Sequence, residues 1–309
     1  MALRNTHLFA RLQAGQPGIC FVMRDVQTRD LILLPSPQSR GTKRLARLFK
    51  FDKLQDGLAQ HPVRRSTSSI CQPFQAVGEQ AAQQRLASFL AQKVGAYREA
   101  RDFPGEDATS RLSENLTYGE ISPRQIWHAG WRALQEGAAG AEHFLKELVW
   151  REFAWHLMYH TPHMAEANWR EDWQGFPWRD DNADAEAWRR GMTGEPFVDA
   201  AMREMYVTGT MHNRARMIVA SYLTKHLMTD WRVGLDWFAD CLTDWDPAAN
   251  AMGWQWVAGS GPDAAPYFRI FNPAGQAEKF DSSGAYRHRF IAEGQRHPHR
   301  DALAYFQAV

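Results

Sequence analysis

The stretch "AEHFLKELVWREFAWHLMYH", residues 141–160, constrains the fold more than any other. Leu145, Leu148, Val149, Phe153 and Leu157 share one face at ~100° per residue, the period of an amphipathic helix and not of a strand. Glu147, Trp150 and Arg151 fall together on the opposite side. A helix needs one apolar face to join a core, but a tryptophan turned away from it beside an acid and an arginine is awkward for a purely structural element. Such a ring is either covered by a neighbouring helix or faces a ligand.

The same period runs through most of the chain. From about Val77 onward, "EQAAQQRLASFLAQKVGAYREA" carries Leu86, Phe89, Leu90 and Val94 at helical spacing. "PFVDAAMREMYVTG" and "TMHNRARMIVASYLTKHL" read as a helix pair broken at Gly209, with Thr210 as the expected N-cap of the second. His212, Asn213 and Arg214 then occupy its first turn, where free N–H groups attract anions. Gly/Pro-rich loops separate these segments, and strand alternation is scarce. Residues 1–75 read differently. "GICFVMRD" and "DLILLPSP" look like short strands, "TKRLARLFKFDKL" like a basic helix, and "HPVRRSTSSICQPF" like a linker.

Composition narrows the function. Residues 1–100 hold 15 Lys+Arg against 6 Asp+Glu, although the whole chain of 309 residues is only +1. A basic first third suits contact with a polyanion, and equally a solvated surface. The three cysteines, Cys20, Cys71 and Cys241, include no C-x-x-C pair, so neither a zinc site nor a disulfide framework is expected. Their number excludes a four-thiolate iron–sulfur cluster. No apolar run nears the ~20 residues that span a bilayer. A reducing cytoplasm is the expected location; Arg4, Arg11 and Arg24 without an acid in the first 24 residues resemble an organelle transit peptide, which is the alternative. The 13 tryptophans are the compositional outlier. Core packing accounts for most such rings, and stacking or electron transfer for some.

Four segments taken together, "DATSRLSENLTYGEISPRQ", "KELVWREF", "TGTMHNRARM" and "DWDPAANAMGWQWVAGSGPDAAPYFRIFNPAGQAEKFD", resemble the flavin domain of DNA photolyases and cryptochromes, in order and with family-like spacing. The resemblance covers residues 76–309 and implies a mainly α fold, an all-helical FAD-binding catalytic domain. Residues 1–75 would be a short basic segment with its linker, in place of the family's longer α/β antenna domain. Too few residues are present there for that fold, so an antenna chromophore is not supported.

The resemblance also implies roles. Tyr97 and the run Thr109, Ser110, Arg111, Leu112 and Ser113 would hold the phosphates and ribitol of FAD, as hydroxyls and N–H groups at a helix start can. "TSRLS" alone reads as a helix cap. Asp244 and Asp246 match acids beside the adenine–ribose and isoalloxazine, and Arg216 the partner of the first. Asn250 matches the residue facing flavin N5; a neutral amide is a poor proton source, which points to repair over signalling. Trp254, Trp231 and Trp178 match a three-member electron chain. Glu147, Trp150, Asn213, Met217 and Trp256 match the pocket for a cyclobutane pyrimidine dimer, and Arg101, Arg151, Arg214 and Gln276 are candidate strand contacts. Photolyases of the six-four type carry a histidine pair where this chain reads His212-Asn213. Lys146 departs from the asparagine common before the pocket acid. The expectation is a monomeric, metal-free photolyase acting on UV-damaged DNA. A cryptochrome-like photoreceptor and a single-strand-preferring nucleic-acid binder are the alternatives.

Overall fold

A computed structural model describes residues 70–263 and 270–308 of the chain. The strands and basic helix expected within residues 1–69 lie outside the described residues. Within the described residues the chain is helical, and the sole β pairing is an isolated parallel bridge between Arg179 and Thr229. Thirteen α-helical elements follow in order among these residues. They are α1 Glu79–Gln92, α2 Tyr97–Ala100, α3 Ser113–Thr117, α4 Pro123–Gln135, α5 Ala141–His160, α6 Ala183–Arg189 and α7 Pro196–Thr208. After them come α8 Asn213–Ser221, α9 Trp231–Cys241, α10 Pro247–Ala258, α11 Pro273–Phe280, α12 Ala285–Phe290 and α13 Arg300–Ala308. None of the described helices is long and apolar enough to cross a membrane.

Local chemistry sets the boundaries. Ser122 and Gln125 close a capping box at the start of α4, with Pro123 at its first position. Asp246 caps α10 by accepting from the Ala249 N–H at 2.8 Å, and Gly259 ends it in the left-handed region at φ 100°. Gly209 ends α7 in the same way at φ 72°. A 3-10 turn at Val94–Ala96 separates α1 from α2 where the bare Gly140 backbone abuts the Val94 carbonyl. One boundary differs from the sequence expectation. The N-cap of α8 is His212, not Thr210. Thr210 and Met211 stay non-helical and line an internal cavity, and Thr208 Oγ1 takes the Thr210 N–H at 3.1 Å. The expected linker also ends in structure: Gln72–Phe74 form a 3-10 turn, and the buried Cys71 thiol, raised to about 11 mainly by burial, donates to the Tyr206 carbonyl at 3.7 Å.

Two apolar clusters form the core. One joins α1, α4 and the first half of α5 through Leu86, Phe89, Ile126, Phe144 and Leu148. The larger joins α6 to α12 around Trp188, Met202, Ile218, Trp231, Phe238 and Trp254. Helix α5 runs between them, packing on α4 with one half and on α10 with the other. This double contact corrects the face expected for α5. Its buried residues are Ala141, Phe144, Leu145, Leu148, Ala154 and Met158, whereas Val149, Phe153 and Leu157 are only half-buried. A helix wedged between two clusters has two inner faces, and one of them fronts the cavity.

Helices α9 and α10 approach closely because position 234 lacks a side chain: a Cβ on Gly234 would overlap the outer ring of Trp254. Overpacking of this kind typically costs about 1–3 kcal/mol. Gly234→Ala is therefore expected to lower the unfolding temperature and shift Trp254 from its site, read by thermal denaturation and tryptophan emission. An unchanged melting curve would show that the gap has slack.

Candidate functional site

Between the two clusters lies a cavity of about 900 Å³. Its walls bring together residues from ten of the helices and from the loop before α3. That loop is the first specialised feature. Arg111 is in the left-handed region at φ 53°, followed by Leu112 at φ −86°, ψ −5°, so consecutive N–H groups turn to one side as an anion-binding nest. A non-glycine residue held there costs on the order of 1–3 kcal/mol, which surrounding contacts must offset. Arg85 supplies them. Its Nη1 donates to the Arg111 carbonyl at 3.0 Å, to Asn115 Oδ1 at 3.0 Å and to Glu114 Oε2 at 3.2 Å. Thr109, Ser110 and Ser113 add hydroxyls to the same wall. Tyr97 joins it, its hydroxyl pushed up to about 12, mainly by burial.

The acids lie across the cavity. Arg216 Nη2 contacts both oxygens of Asp244, at 2.9 and 2.7 Å, while its Nε donates to the Met211 carbonyl at 2.8 Å. Asp246 accepts from Trp155 Nε1 at 2.8 Å and pairs with Arg151 Nη2 at 3.4 Å, besides capping α10. One turn into α10, the buried Asn250 donates its side-chain amide to the Asp246 carbonyl at 3.1 Å. Arg151 thus lines the cavity, paired with Asp246 and Glu152.

At the mouth, Trp150 is 43% exposed and meets Phe153 edge to face at 5.8 Å. Glu147 pairs with Arg101 and lies 3.8 Å from His143. Asn213, Arg214 and Met217 line the opposite side from α8. Their helix start is fixed by His212, whose Nδ1 accepts the Arg214 N–H at 3.2 Å and whose ring bonds to the Arg101 backbone. Burial pushes this imidazole down to about 4, so it stays neutral, as an acceptor must. Glu204, half-buried and raised by desolvation, accepts from Tyr286 Oη at 2.5 Å and from the His212 N–H at 3.3 Å, which anchors the same turn.

The three tryptophans of the expected chain are placed in layers. Trp254 lines the cavity, is 3% exposed, and has its Nε1 buried without a partner. Trp231 is fully buried behind it in the larger cluster and donates to Asn168 Oδ1 at 2.9 Å. Trp178 is half-buried at the cluster's edge and stacks on Trp173 with centroids 5.4 Å apart. Trp256 lines the cavity, while Trp231, Trp178 and Gln276 do not. Gln276 is on α11 with its amide oxygen buried and unpartnered. Sequence reasoning passed over Arg85, Trp173 and Trp188; the last meets Trp254 at 6.1 Å and Phe238 at 6.3 Å. Only for the two rings was a signal present, in the tryptophan count itself.

These walls suit a ligand with an anionic part at the nest and a large flat heterocycle against Asn250 and Trp254. Among the described residues no cluster of three or more potential metal ligands occurs.

Comparison with known proteins agrees with this geometry. The sequence profile of the FAD binding domain of DNA photolyase matches residues 144–308. A deoxyribodipyrimidine photo-lyase of Agrobacterium fabrum is 54% identical over 218 residues, 70% of this chain and 45% of the relative. That of Escherichia coli is 46% identical over 221 residues, 70% of this chain and 47% of the relative. Among solved structures, a bacterial class III photolyase from Agrobacterium tumefaciens has a TM-score of 0.69 at 44% identity, covering 77% of this chain and 57% of that one. A cryptochrome of Synechocystis sp. PCC6803 has a TM-score of 0.67 at 35% identity, over 75% and 49%. The chain spans about half the length of the curated relatives it matches. With a match over more than half of its residues, and with the nest, the Asp244–Arg216 pair and Asn250 lining one cavity, the chain belongs to the family of the FAD-binding domain of DNA photolyase.

Proposed function

We propose that the chain binds FAD in this cavity and repairs cyclobutane pyrimidine dimers in DNA under blue light. One observation carries the reading: a single cavity joins the anion nest at Arg111 and Leu112, the buried Asn250 and Trp254, and the exposed Trp150 at its mouth. In this reading residues 76–309 are the catalytic domain and residues 1–75 a basic accessory segment. The protein acts as a cytoplasmic monomer.

The nest and the hydroxyls of Thr109, Ser110 and Ser113 hold the diphosphate, and Asp244 with Arg216 holds the far side of the cofactor. Reduced FAD held by these residues would supply a photoexcited electron donor for splitting the dimer, with no net change of oxidation state. The remaining work falls to side chains. A dimer reaches the cavity only when flipped from the stack, and Trp150 offers it a replacement surface. Glu147 and Asn213 offer an acid and an amide to its base edges, with Met217 and Trp256 closing the walls. Asn250, held by the Asp246 carbonyl, has no acidic proton to give. Trp254, Trp231 and Trp178 form the route by which electrons replenish the site. The cryptochrome-like alternative draws support from the Synechocystis neighbour and shares that route, but it has no use for the pocket at the mouth.

The deciding measurement is repair of a thymine-dimer oligonucleotide under blue light by the flavin-loaded chain, with a dark control; light-independent or absent repair removes the proposal. Trp150→Ala is expected to weaken binding of that oligonucleotide by about 5- to 100-fold, the range for one lost stacking partner, with the flavin spectrum unchanged. Trp254→Phe should slow light-driven reduction of the oxidised flavoprotein and spare repair by chemically reduced protein. Arg85→Met should lower flavin affinity by roughly ten-fold, since the nest loses the charged hydrogen bonds that hold it. Fluorescence titration with FAD checks the last of these, and unaltered affinity would show that the loop holds its shape alone.

A further inference from the structure

The mouth carries a charge arrangement in which one member, Asp102, has no part in the proposed chemistry. Two arginines and two acids alternate there: Glu147 with Arg101, and Asp102 with Arg214, the last pair at 2.7 Å between Oδ2 and Nη2. Asp102 also lies 3.9 Å from Arg101 Nε, so it stands between both guanidinium groups. Arg214 is held from a second direction, its guanidinium resting over the Phe280 ring at 4.4 Å. Its Nε is buried and has no hydrogen-bond partner.

An arginine presents Nε–H and Nη2–H on one edge, as a fork shaped for two oxygens of a single anion. Asp102 fills one tine and leaves the other empty. A buried donor without an acceptor is an unfavourable state, and an anion able to span both tines relieves it. A phosphodiester has two such oxygens. The side chain of Asp102 is 36% exposed, so it can swing out to solvent, whereas that of Arg214 is 17% exposed and stacked, so it stays in place.

We propose that Asp102 is an internal stand-in for a DNA phosphate, holding Arg214 aimed and neutralised until a phosphate displaces it. The proposal rests on the reading of this cavity as a DNA-lesion site, and it adds a residue which that reading does not assign. It implies that strand binding at this point is an exchange of one anion for another. The protein's free-state charge at the mouth is kept low, and its affinity for undamaged strands is held down.

The test uses the flavin-loaded full chain and two probes, an undamaged single-stranded oligonucleotide and the same strand with one thymine dimer. Asp102→Asn keeps the shape and an oxygen acceptor but removes the competing charge. It is expected to raise affinity for the undamaged strand by roughly 3- to 10-fold and to steepen the salt dependence of binding by about one unit. The same substitution in an Arg214→Met background should give no such gain. Equal or weaker binding by Asp102→Asn would make Asp102 a structural brace and overturn the proposal. So would a gain that persists without Arg214, which would reflect net charge alone. Since the undamaged strand reports the exchange by itself, failure of dimer recognition is read separately, from the second probe.

Discussion

The carboxylate of Asp246 holds the two helices that carry the site. It accepts the Ala249 N–H that starts α10, the indole N–H of Trp155 on α5, and a contact from Arg151 one turn before it on α5. Helix α5 presents Glu147 and Trp150; α10 presents Asn250, Trp254 and Trp256. Their relative depth and rotation therefore pass through one buried anion. Removing it would leave a helix start uncapped and the Trp155 indole N–H without its acceptor, each a larger penalty than a lost surface contact. The Gly234–Trp254 contact sets the other side of α10, so this helix is pinned on both flanks.

Much of this was legible in the chain. The helical period, the stop at Gly209 and the acid-rich start of α10 are local signals, and local sequence determines them. The apolar face of α5 was misjudged because a periodicity argument assumes one core, and this helix borders two. Thr210 looked like a cap by residue type. The cap fell to His212 because Glu204, eight positions earlier, and Tyr286, far along the chain, fix the His212 backbone from below. No window of sequence contains that arrangement. Arg85 was invisible for a similar reason. It is an ordinary arginine on an ordinary helix until the fold brings it under the strained loop at Arg111.

Placement of the candidate residues divides by depth. Most of those on the cavity wall lie on segments whose order and spacing carry the family resemblance, and they arrive together. Arg151 lines the cavity, whereas Gln276 lies outside it on α11. Both are polar residues whose neighbours, and not their type, decide what they face. The stacked partner of Trp178 was equally hidden, because Trp173 reaches it through a loop of 3-10 turns with no periodic signature.

The indole nitrogens of the inner tryptophans have one further consequence. Trp254 has no acceptor for its N–H, and Trp231 meets only the neutral carboxamide of Asn168. Neither ring has a base to which a proton could be surrendered when an electron leaves. Along the proposed route, these two positions pass charge without chemistry, as a wire does. Heavy water in place of ordinary solvent would leave their step at its normal pace and slow only what happens where the outermost ring touches the bulk.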